Sequence, residues 1–62
     1  MSEVYNPEAA LYQRIEALEI EARSMKTKRD EATSDADRTV RDRQLREIEK
    51  EIERLKRRLK AL

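Results

Sequence analysis

The side chains able to do chemistry in this chain are carboxylates, cationic heads and a few hydroxyls, because its 62 residues include no His and no Cys. Ser2, Ser24 and Ser34 therefore have no imidazole to activate them as nucleophiles. Thiolate and imidazole metal ligands are absent, and so is any disulfide framework. Glu16, Glu19, Glu47, Glu49, Glu51 and Glu53 supply carboxylates, but carboxylate-bridged metal bundles also use His and set their Glu residues on inward seams. The segment Asp35-Ala36-Asp37 begins like a calcium loop. The sixth position, normally Gly, is Val40, and the twelfth, normally Glu, is Arg46, so the pattern fails. No catalytic, metal or cofactor site is expected, no small-molecule substrate is implied, and the protein is read as non-enzymatic.

Binding chemistry has one candidate of its own, the cluster Arg54, Lys56, Arg57, Arg58 and Lys60. Arg54, Arg57, Arg58 and Lys60 could contact phosphates, which makes a small nucleic-acid regulator the alternative function. The plainer reading is that these cations complement the negative end of a helix and face an acidic stretch, Glu8, Glu16, Glu19 and Glu21. Base stacking has no support, since no aromatic residue lies in the cluster. Globally, 15 Lys and Arg stand against 14 Asp and Glu, so no net field draws the chain to nucleic acid or membrane.

The elements that carry these groups are legible from apolar spacing. Asn6-Pro7-Glu8 reads as a helix start: Asn6 caps, Pro7 is preset for the first helical position, and Glu8 suits the positive end of the dipole. Leu11, Ile15, Leu18, Ala22 and Met25 then recur at 4-3-4-3 spacing, reaching Arg29 and Ala32. A second run, Leu45, Ile48, Ile52, Leu55, Leu59 and Leu62, repeats at 3-4-3-4-3. Each is a heptad seam. In one continuous helix the two seams would lie more than about 100° apart around the axis, so a long straight coil would bury only one of them. Between them, Thr33-Ser34-Asp35-Ala36-Asp37-Arg38-Thr39 is dense in side chains that compete for backbone hydrogen bonds. The expected fold is all-α: a two-helix antiparallel coiled-coil hairpin, with an N-terminal arm over 1–6, helix one over 7–34, a turn over 35–39 and helix two over 40–62.

Two start signals for helix two, Ser34 with Asp37 and Thr39 with Asp42, correspond to two hairpin registers. When facing numbers sum to 70, Leu11 meets Leu59 and Leu18 meets Ile52, but Arg29 meets Arg41 and Glu21 meets Glu51. When they sum to 77, Ile15 meets Leu62 and Leu18 meets Leu59, flanked by the attractive pairs Glu21-Arg58, Glu19-Lys56, Lys28-Glu51 and Lys26-Glu49. Surface pairs of this kind contribute about 0.3 to 0.5 kcal/mol each. The charges therefore favour the second register, although it leaves Leu11 uncovered.

Helix one also carries an uncharged stripe on the back of its seam: Ala10, Gln13, Ala17, Ile20, Ser24 and Thr27. The matching back of helix two is Arg46, Glu47, Lys50, Glu53, Arg54, Arg57 and Lys60, all charged. A two-helix hairpin of this length has a thin core and usually needs a further contact to be stable. Dimerisation through helix one into a four-helix bundle would supply one, with the stripe joined by Leu11, Tyr12 and Tyr5 as the partner interface. In shape this resembles small dimeric helical-hairpin proteins such as the plasmid regulator Rop, a likeness of architecture alone. The expected function is thus a small interaction or assembly protein that self-associates or docks on a larger protein. An inhibitor that acts by laying a helix in a groove would look the same in sequence. No basic start, apolar leader or membrane span is present, which points to the cytoplasm and leaves nucleus and virion open.

Overall fold

The computed structural model describes residues 6–62, so Tyr5 and the rest of the arm over 1–5 lie outside the described residues. It contains α1, Pro7–Asp30, and α2, Asp35–Ala61, packed side by side as an antiparallel hairpin. The molecule is a slab of 53 × 24 × 11 Å with a radius of gyration of 15.2 Å. A globule of this length would have a radius of about 11 Å, so little of the chain is far from solvent.

α1 starts as its sequence dictates. The Asn6 side-chain oxygen accepts from the N–H groups of Glu8 at 3.0 Å and Ala9 at 3.2 Å, satisfying two donors that the first turn leaves free. It ends at Asp30, where the Glu31 N–H still donates to the Thr27 carbonyl at 2.9 Å and the Ala32 N–H to the Arg29 carbonyl at 3.2 Å. The chain then reverses through residues 31–34 with every described φ negative. The reversal is made by side chains instead of glycine. Ser34 caps α2, its hydroxyl accepting from the Asp37 N–H at 3.1 Å, and Arg38 donates to the Ala32 carbonyl and to Asp35, both at 3.3 Å.

The turn therefore lies at 31–34, with Asp35–Thr39 forming the first turn and more of α2, not at the expected 35–39. Of the two start signals, Ser34 is used. Thr39 is helical, and its hydroxyl donates back to the Asp35 carbonyl at 2.8 Å, as a mid-helix Thr commonly does.

The earlier start moves the register away from the one that the surface charges favoured. Ile15, Leu18 and Leu55 form the buried cluster, with Leu11, Ile48, Ile52 and Leu59 packed against it. Leu62, which the 77 register would place on Ile15, is 69% exposed. Packing thus follows the register near 70, and covering Leu11, worth about 1.5 to 3 kcal/mol, outweighs weak surface pairs. The Arg29–Arg41 conflict expected of this register is removed locally. Arg29 donates to Asp42 at 3.2 Å, and Arg41 pairs with Asp37 at 3.5 Å. One pair expected of the other register forms all the same: Lys56 reaches Glu19 at 3.6 Å. Helical side chains lean toward their own N-terminus, so in antiparallel helices these two lean toward each other.

Candidate functional site

With the core on one side of α1, the outward faces of the two helices determine what the domain can offer to a partner. On α1 the residues Gln13, Ala17, Ile20, Ser24 and Thr27 are exposed and Ala10 is half-buried. Ile20, at the middle, is 54% exposed. The Thr27 hydroxyl donates to the Arg23 carbonyl at 3.2 Å, so it is engaged with its own helix. The side of α1 turned away from its seam is therefore uncharged, with Ile20 as its one large apolar side chain, while the corresponding side of α2 is charged.

The other residues expected at this interface divide. Leu11 belongs to the core, packed on Ile15, Leu18 and Leu55, and does not join the stripe. Tyr12 is 55% exposed, and Tyr5 lies outside the described residues. Val40, 50% exposed on α2, was not among the residues expected to be available to a partner; its lack of a place in either seam was the available signal.

The back of α2 is built differently. Arg46 pairs with Asp42 at 3.0 Å, Lys50 with Glu47 at 3.7 Å, Arg54 with Glu51 at 3.0 Å and Arg57 with Glu53 at 3.7 Å, all within the helix. Cations neutralised this way offer a phosphate less than bare ones would. Of the candidate phosphate contacts, Arg54 and Arg57 are engaged in this manner, while Arg58 and Lys60 make no ion pair among the described residues. The surface grooves are open troughs between long side chains, such as the one along Arg46, Glu49, Lys50, Glu53, Arg54 and Arg57. Among the described residues no group of three or more acidic side chains could hold a metal ion, and no helix is long and apolar enough to cross a membrane.

At the closed end a chain of charges, Asp30, Arg29, Asp42 and Arg46, locks the helices together. The hydrogen bond to Asp42, reinforced by Asp30 and opposed by partial burial, holds the Arg29 pKa above its already high ordinary value. A group whose folded pKa is raised stabilises the fold below its unfolded pKa and loses that contribution only as pH rises through the folded value. Arg29 therefore gives the hairpin no titration step near neutrality.

Neither curated proteins nor solved structures gave a match to this chain. Comparison with protein families did, over residues 8–62, which take in both helices and the turn between them. On that match the chain belongs to the family described as Effector-associated domain 9.

Proposed function

We propose that this domain is a non-enzymatic interaction module of the cytoplasm that associates with a second copy of itself or docks on a larger protein through the outward face of α1. The observation that carries this reading is Ile20, more than half exposed at the centre of a face without charge on a domain otherwise covered in charge. Fully burying such a side chain contributes about 1.5 to 3 kcal/mol, of which the hairpin alone collects less than half. A dimer through α1 gathers four helices with α1 inside and the salt-bridged backs of α2 outside. A family named for association with effectors fits a part whose work is to bring proteins together.

The test is Ile20→Glu followed by light scattering and by circular dichroism. The helical signal should persist while association falls at least tenfold, since the charge must be desolvated without a partner. Lys50→Glu on the back of α2 is the control and should change little. A wild type that is monomeric at hundreds of micromolar excludes self-association and leaves docking on a different protein.

A further inference from the structure

The face of α1 is edged by charges that the hairpin leaves unused. Arg14 and Glu21 run along one edge, Glu16 and Arg23 along the other. All four side chains are exposed, and none takes part in an ion pair among the described residues. Arg23 borders a groove with Glu19, Glu49 and Glu53, and Glu21 borders one with Arg43, yet neither closes a pair there. Among the described residues other exposed charges, such as Arg58 and Lys60, are unpaired too; what sets these four apart is that they bracket an uncharged ridge in opposite-sign pairs along each edge.

We infer that the partner is a second copy of this chain, held across a two-fold axis by antiparallel pairing of α1 on α1, in the register where facing residue numbers sum to 37. This rests on the self-association reading and adds to it the orientation and register. The ridge is self-complementary in that register. Ala10 faces Thr27 of the second copy, Gln13 faces Ser24, and Ala17 faces Ile20, so the bulky side chain meets the small one on both sides of the axis. The edges agree. In antiparallel helices like edges face each other, which sets Arg14 against Glu21 of the second copy and Glu16 against Arg23, each twice by symmetry.

The alternatives are opposed by the same charges. Sliding by one heptad in one direction brings Arg14 onto Arg14 and Glu16 onto Glu16; sliding in the other brings Glu21 onto Glu21 and Arg23 onto Arg23. Parallel pairing sets Glu16 beside Glu21 and Arg23 beside Lys28. Every attraction in the chosen register becomes a like-charge contact in its neighbours, which is how helical interfaces define one arrangement against others. The ridge is also almost opposite the seam to α2 around the α1 axis, so the four helices form one layer with both α2 helices at its outer edges.

The experiment is a charge swap read by sedimentation equilibrium. Glu21→Arg alone sets a new guanidinium against Arg14 of the second copy, twice by symmetry. Arg14→Glu alone sets a new carboxylate against Glu21 of the second copy, again twice. Each variant by itself should self-associate at least tenfold more weakly, with helicity unchanged. An equimolar mixture of the two restores opposite charges at both sites and should associate within about threefold of the wild type. A nitroxide on Thr27 gives a second readout: the antiparallel register puts the two labels more than about 25 Å apart, while a parallel pair would bring them within about 15 Å. If the wild type dimerises but the mixture gains nothing, or the labels are close, the register is wrong and self-association stands. If the wild type stays monomeric at hundreds of micromolar, both fail together.

Discussion

Arg29 at the end of α1 donates through its guanidinium to Oδ1 of Asp42 on α2 at 3.2 Å, and the other oxygen of the same carboxylate is ion-paired with Arg46 at 3.0 Å. This contact bears on the choice of register. It turns the seam position of Arg29, which would otherwise confront Arg41, into a cross-helix tie beside the turn. Asp42→Asn should lower the urea midpoint of unfolding, and Arg29→Ala in that background should cost less than it does alone. A double-mutant cycle that gives zero coupling would show the pair to be incidental.

The register makes unequal demands on the two ends of the seams. Leu11→Ala uncovers the buried cluster and should destabilise the hairpin by about 1 to 2 kcal/mol. Leu62→Ala, at a residue 69% exposed, should stay within about 0.5 kcal/mol. Thermal melts that reverse this order would restore the register in which Leu62 covers Ile15.

Ser34 and Thr39 look equivalent in sequence as starts for α2 and are not. Ser34→Ala removes the hydroxyl that accepts from the Asp37 N–H and should cost about 1 kcal/mol, a fall in melting temperature of about 4 to 8 °C for a domain this small. Thr39→Ala removes a back-bond inside the helix and should be neutral or slightly stabilising. Equal losses from the two variants would contradict the observed cap.

Core and ridge should separate cleanly in their effects. Leu18, 4% exposed, sits in a core so thin that Leu18→Ala, at about 2 to 3 kcal/mol, should unfold much of the population at 25 °C. Ile20→Ala, two positions along the same helix, should leave the melting temperature of dilute protein unchanged. A large loss from Ile20→Ala at low concentration would place Ile20 in the hairpin core and remove the basis for a partner face.

The two helices, their pairing and the start of α1 are all legible along the chain, because heptad spacing and an Asn-Pro cap are local properties that survive without knowing what lies across the seam. The face of α1 that lacks charge is legible too, since it follows from helical period. Where the chain turns and which residues face each other are not. Ser34 and Thr39 offer the backbone nearly the same cap, and the flanking charges Glu21, Lys26, Lys28 and Arg58 pointed the other way. The choice depended on sharing Leu11, Leu55 and Leu59 with a single cluster and on Asp42 standing within reach of Arg29. Burial of a leucine exceeds a surface ion pair several-fold, and that balance is struck across the two helices, not along either one.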